Sequence, residues 1–130
     1  MADQPDQQLP APLTPDEELA WRALARAVLV IPRVLDGELL RSQGLSLTEY
    51  SVLINLSEVP GRSMRMSELA NDVSISVSGL TRVVERLSRQ GLVERVKADT
   101  DGRGQLAVLT PAGFARLEQA YPTHLAGVRK

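Results

Sequence analysis

The chain has 130 residues, 43% of them apolar, with 15 Lys and Arg against 16 Asp and Glu, which is enough for one domain with a real core and leaves a net charge of −1. It contains no cysteine and a single histidine, His124. Disulfides, thiolate zinc sites, iron–sulfur clusters and thiol redox sensing are thereby excluded, an enzyme is disfavoured, and neither a metal nor a cofactor is expected. No apolar run approaches the roughly 18 residues of a membrane span, and the start carries Asp3 and Asp6 instead of a basic and then apolar leader, so a cytoplasmic protein without a membrane partner is expected.

Charge is unevenly laid out. Met1 to Trp21 holds five acids and no base, whereas Arg62 to Gly104 holds eight bases and six acids. An excess of two does not by itself distinguish a DNA-binding surface from a solvated one.

Residues 1–12, with Pro5, Pro10, Pro12 and three glutamines, read as a flexible lead-in. Thr14, Pro15 and Glu17 then supply an N-cap, a proline at the first helical position and an acid in the first turn. The helix they open has an apolar stripe through Trp21, Leu24, Val28, Ile31, Leu35 and Leu39, and should stop near Gly44. Pro32 predicts a kink or a lost hydrogen bond and not a break, because the periodicity resumes at once. Leu29, Val30, Val34 and Leu40 lie off the stripe, giving more apolar surface than one packing partner requires; another subunit could use it.

A second helix is expected with Thr48 as cap, Tyr50, Leu53, Ile54 and Leu56 inward, and Pro60-Gly61 at its end. "MSELANDV" from Met66 reads as a short third helix with Ser67 as cap and Leu69, Ala70 and Val73 inward. A fourth starts at Ser76 and ends at Gly91. Its residues Leu80, Val83, Val84 and Leu87 recur at helical spacing, while Ser78, Arg82, Glu85 and Arg89 fall on another face. Two such helices in close succession form a helix-turn-helix pattern. "LVERVKA" and "QLAVLT", separated by "DTDGRG", then predict a hairpin with a charged tip. In "TPAGFARLEQAY" a helix restarts with Thr110 as cap, Pro111 at its first position and Phe114, Leu117 and Tyr121 inward. Pro122 should end or bend it before "THLAGVRK" starts another.

The segments "GLSLTEYSVLINLSE", "RMSELANDVSISVSGLTRVVERLSRQGLVER", "DTDGRG" and "AVLTPAGFARLE" together resemble the multiple-antibiotic-resistance regulator (MarR) family of bacterial transcription regulators. The resemblance covers roughly residues 14–128, and Asp101-Gly102-Arg103-Gly104 fits that family's D-x-R-G wing motif. It implies a mainly α fold with a small β-hairpin wing, in one domain over residues 13–130. A winged helix-turn-helix at about 46–110 would be flanked by dimerisation helices at about 14–43 and 111–130. In the family the last helix ordinarily continues well beyond the point where Lys130 stands and supplies much of the dimer interface. The implied function is a ligand-responsive repressor that binds a pseudopalindromic operator in double-stranded DNA as a homodimer and is released by a small anionic or phenolic effector. The alternative is a winged helix retained as a protein-interaction module, its basic face docking an acidic partner.

Chemistry then assigns candidate roles. Ser76, Ser78 and Gly79 are small enough for backbone to approach a duplex, and their hydroxyls and the free N–H groups of the first turn can hold phosphate oxygens. One turn on, Thr81 and Arg82 are candidates for base edges, since Arg takes guanine O6 and N7 together and Thr meets a thymine methyl. Arg86 suits DNA backbone or an ion pair with an acid such as Asp101, and Arg89 is a surface charge. Arg103 suits the negative potential of a narrow minor groove, and Lys97, Arg62 and Arg65 suit phosphates. Asp101 would hold the turn or orient an arginine; Gly102 and Gly104 would serve as turn residues. An effector pocket like the family's could draw on Trp21, Arg22, Arg26, Tyr50 or His124. The plainer alternative makes Trp21 and Tyr50 core aromatics and His124 a surface residue.

Overall fold

The computed structural model describes residues 9–97 and 104–130. The chain divides into two units, Met1–Ile31 and Pro32–Lys130. Helix α1, Pro15–Gln43, runs through Pro32.

In the first unit Thr14 and Glu17 form a reciprocal cap. The Glu17 amide donates to Thr14 Oγ1 (3.2 Å) and the Thr14 amide to Glu17 Oε1 (3.0 Å). Hydrogen bonding from Thr14, its backbone amide foremost and its side chain next, holds the Glu17 carboxyl below its usual range. The predicted stripe is almost wholly uncovered: Trp21, Leu24, Val28 and Ile31 are exposed, as are Leu19, Leu29 and Val30.

In the second unit the rest of α1 carries the half-buried Leu35 and the buried Leu39. Helix α2 spans Leu47–Ser57, and its cap is Ser46 and not the expected Thr48. Ser46 Oγ accepts from the Glu49 amide (3.0 Å), and Glu49 Oε1 accepts from the Ser46 amide (3.2 Å). Leu45 is fully buried just before this cap, which fixes where the chain turns in. The inward face of α2 is wider than predicted, with Val52 fully buried beside Tyr50, Leu53 and Leu56, because the helix packs against the three helices that follow it and the sheet.

A 3-10 turn at Pro60–Arg62 leads into a strand absent from the sequence reading, β1, Ser63–Arg65. Three residues leave no alternation to detect. With β2 (Val93–Lys97) and β3 (Gln105–Leu109), β1 makes an antiparallel sheet of order β1-β3-β2, in register Met64↔Ala107 and Arg95↔Ala107. Helix α3, Met66–Asp72, leaves the strand directly, with Arg65 at its cap position and no side-chain cap. The expected Ser67 cap is therefore inside the helix, because strand pairing already holds Arg65 extended.

Helix α4, Val77–Arg89, starts at Ser76 as predicted and buries Leu80, Val83, Val84 and Leu87. Helix α5, Pro111–Val128, is continuous through Pro122, so of the predicted end or bend the end is corrected, and with it the separate last helix. Proline removes one helical hydrogen bond there, while tertiary contacts hold both sides: Leu117 and Ala120 in the core, and Thr123 Oγ1 within 3.4 and 3.3 Å of Ser42 and Gln43 on α1. Tyr121 is half exposed and not inward, and Phe114 is half-buried. Thr110 caps α5 and ties it to the end of α4, accepting from the Gly113 amide (3.0 Å) and donating to the Gly91 carbonyl (2.7 Å).

Candidate nucleic-acid interface

Helix α4 is two-sided because its four buried residues recur at spacings of three and four, which puts Ser78, Arg82, Glu85, Arg86 and Arg89 outside. Among the described residues no carboxylate lies within ion-pair distance of Arg82, Arg86 or Arg89. Three guanidinium groups thus face outward along one helix. At its start Ser76 Oγ is already engaged, accepting from the Gly79 amide (3.1 Å) and lying 3.2 Å from Ser78 Oγ. The Thr81 hydroxyl donates to the Val77 carbonyl (2.9 Å), which locks its rotamer and leaves the methyl as its free apolar contact. Gly79 is half-buried, and a Cβ there would meet only Ser76 Oγ, at 3.1 Å.

The turn that sets α4 against α3 is made by Ser74, whose φ of 59° is left-handed. Its amide donates to the Asn71 carbonyl (3.2 Å) and that of Ile75 to Ala70 (3.0 Å), the paired bonds of a Schellman motif. Helix α4 closes with the same motif: Gly91, at φ 74°, donates to Ser88 (3.0 Å) and Leu92 to Leu87 (3.0 Å).

Beside α4 runs an open cleft of about 300 Å³ walled by Arg65, Ser67, Thr81, Arg95, Gly104 and Gln105. It brings the start of α3, the first half of α4 and the root of the hairpin to one place. Lys97 is exposed at the end of β2, and Gly104 is half-buried just before β3. Asp101, Gly102 and Arg103 lie outside the described residues. Arg62 is occupied elsewhere, its guanidinium stacked 4.0 Å from the centre of the Phe114 ring.

Sequence reasoning gave no role to Arg95. It pairs with Glu85 of α4 (3.5 Å) and donates to Gln105 Oε1 on β3. The available signal was Glu85, the only acid in the α4 sequence, placed among arginines.

Of the effector candidates, Tyr50 and His124 come together, with ring centroids 4.5 Å apart and planes tilted by 32°. Tyr50 is a core aromatic, and burial, followed by Tyr121 and Glu58, raises its phenol above the ordinary value. Among the described residues, the Tyr50 hydroxyl and His124 Nδ1 are buried without hydrogen-bond partners. Trp21 is 58% exposed on α1, so it is not a core aromatic. Arg22 pairs with Glu18 at 2.8 Å, and Arg26 is exposed. Among the described residues no three His, Asp or Glu cluster as metal ligands, and no helix is long and apolar enough to cross a membrane.

Two helices joined by a tight turn, the second with a polar outer face, and a β2–β3 hairpin beside it define a winged helix-turn-helix protein. Comparison with known proteins narrows the class. The MarR family model matches residues 43–104. The chain is similar to Sco3205, a MarR family transcriptional regulator from Streptomyces coelicolor solved in complex with DNA, at 38% identity and a TM-score of 0.86, covering 92% of this chain and 76% of that one. It is likewise similar to AbsC, a MarR family regulator from the same organism, at 36% identity and a TM-score of 0.83, covering 92% and 80%. The transcriptional repressor MprA of Escherichia coli strain K12 is 31% identical over 86 residues, 66% of this chain and 49% of that protein. The chain belongs to the MarR family of transcriptional regulators. It spans about half the length of the first curated relatives it matches.

Proposed function

We propose that the chain is a sequence-specific DNA-binding repressor that works as a homodimer in the cytoplasm. The observation that carries this reading is the outer face of α4, where Arg82, Arg86 and Arg89 stand exposed without acidic partners among the described residues. In this reading α4 enters the major groove. Thr81 and Arg82 meet base edges, Ser76, Ser78, Gly79, Arg86 and Lys97 meet the backbone, and Arg103 reaches the minor groove, with Asp101, Gly102 and Gly104 shaping the hairpin that carries it. The DNA complex of Sco3205 supports it through the likeness of that protein. The uncovered apolar residues of α1 support self-association. A two-fold dimer predicts a pseudopalindromic site with half-sites about 34–36 Å apart. Response to a small anionic or phenolic effector is supported by the unpartnered polar atoms of Tyr50 and His124.

The test is selection from a random duplex pool at fixed salt with the wild type, Arg82→Ala and Arg103→Ala. A two-fold-symmetric motif is expected, relaxed by Arg82→Ala as about 1–3 kcal/mol of base discrimination is lost, and bound more weakly by Arg103→Ala. A folded wild type that enriches no motif would overturn the proposal in favour of a protein-docking module.

A further inference from the structure

We infer that Arg95 is a positioning residue for DNA binding: from β2 it neutralises Glu85 on α4 and ties that helix to Gln105 at the root of the hairpin. The inference rests on the DNA-binding reading above. Along β2 side chains alternate, with Val93, Arg95 and Lys97 on one face and Glu94 and Val96 on the other. Val93 is buried and Val96 is 44% exposed, so Arg95 occupies the inward face at the point where the core ends. An apolar residue would extend the core there. Instead a long cation crosses to Glu85 at 3.5 Å and donates to Gln105, which lies diagonally across the β2–β3 ladder from it.

Glu85 explains why a cation belongs there. It is the only acid within α4, three residues from Arg82 and four from Arg89, on a face we read as meeting phosphates. Uncompensated, its charge would repel the duplex and draw the neighbouring arginines away from it. Arg95 cancels that charge from the neighbouring strand, where its side chain is partly shielded from solvent and contacts both Glu85 and Gln105. The Glu85 contact joins the recognition helix to the hairpin, and the Gln105 contact braces Arg95 across the two hairpin strands, so that helix and hairpin reach the grooves in a fixed relation.

The test measures binding of the selected duplex by the wild type, Arg95→Gln, Glu85→Gln and the double variant between about 50 and 200 mM salt. Thermal melts confirm that each is folded. Arg95→Gln is expected to weaken binding about tenfold or more. Glu85→Gln should bind as well as the wild type or better, and the double variant should recover to within about threefold of Glu85→Gln. A double variant as weak as Arg95→Gln, with a salt slope shallower by about 0.9, would make Arg95 a phosphate contact and overturn the inference. Wild-type affinity in Arg95→Gln would overturn it too, as would a large loss in Glu85→Gln, which would make Glu85 a base reader. Should Arg95→Gln fail to fold, Arg95→Lys keeps the charge and loses the two-ended bridge, and Gln105→Ala removes the hairpin end alone; both are expected to weaken binding less than tenfold, and wild-type binding by both would remove the tie. Amide exchange of the DNA-free protein separates the premises. Faster exchange at β2 and β3 in Gln105→Ala supports the tie even if the wild type binds no duplex, and unchanged exchange removes it.

Discussion

Leu24 and Ile31 on α1 are as apolar as Leu80 and Leu87 on α4, and both pairs sit on faces of helical period, yet the first pair is 58% and 55% exposed while the second has no exposure at all. Periodicity identifies a face that avoids water but not what covers it. The second unit encloses its own face, with α4 lying against α2, α3 and β2. The apolar surface of residues 19–31 is left for another partner, and in the proposed homodimer that partner is a second copy. The comparison breaks most sharply under truncation. Leu80→Ala or Leu87→Ala is expected to cost about 2–5 kcal/mol in urea unfolding, whatever the protein concentration. Leu24→Glu should cost stability where the wild type is dimeric, with a loss that shrinks as the protein is diluted, and should increase the monomer fraction in sedimentation. A loss independent of concentration would remove α1 from the dimer interface.

The second unit is also where a single added methyl should matter most. A Cβ on Gly113 would sit 2.1 Å from the Leu92 carbonyl oxygen and 2.6 Å from Leu109, at the seam where the start of α5 meets the entry to β2 and the end of β3. Gly113→Ala is expected to cost about 1–3 kcal/mol or more, whereas alanine exchanges at exposed positions of α1 away from its apolar face should stay within about 0.5 kcal/mol. Equal unfolding midpoints for Gly113→Ala and the wild type would show that the seam can open without cost.

These sites also mark where the sequence was legible. The four inward residues of α4, its Ser76 cap and the Thr110 cap were readable because each rests on spacing or chemistry within one turn. Strand β1 and the bridge from Arg95 to Glu85 and Gln105 were not, because each exists only once separate elements are brought side by side. The Ser46 cap lost to Thr48 in the reading for a similar reason: burial of Leu45 and the Leu47 amide donated to Asp36 (2.8 Å) decide the register, and both are tertiary. Pro122 misled in the opposite sense. A local penalty was overridden by contacts on either side.

The two Schellman turns give a smaller and cleaner contrast. Gly91 adopts its left-handed φ freely, whereas Ser74 adopts the same region with a side chain. Ser74→Gly is expected to stabilise by about 0.5–1 kcal/mol, and Gly91→Ala to destabilise by about 1 kcal/mol, in the same urea experiment. If Ser74→Gly is destabilising, the serine contributes a contact that outweighs its backbone strain.

Tyr50 tests the enclosed unit at a point where it is not self-sufficient. Its hydroxyl is buried with no partner among the described residues, so Tyr50→Phe keeps the ring beside His124, removes an unsatisfied polar atom, and should be neutral or stabilising by up to about 1 kcal/mol at pH 7. Burial, with Tyr121 and Glu58 adding to it, raises this phenol above its ordinary value of about 10, which means the fold holds the neutral form more tightly than the unfolded chain does. Stability from this group is therefore complete below about pH 10, where unfolded tyrosine ionises, and is lost as pH rises through the higher folded value. Urea midpoints measured from about pH 8 to 11 should fall more steeply for the wild type than for Tyr50→Phe; parallel curves would show that the hydroxyl reaches water or a partner. If the same variant also loses response to a phenolic effector while gaining stability, the unsatisfied hydroxyl is a stability cost kept for binding.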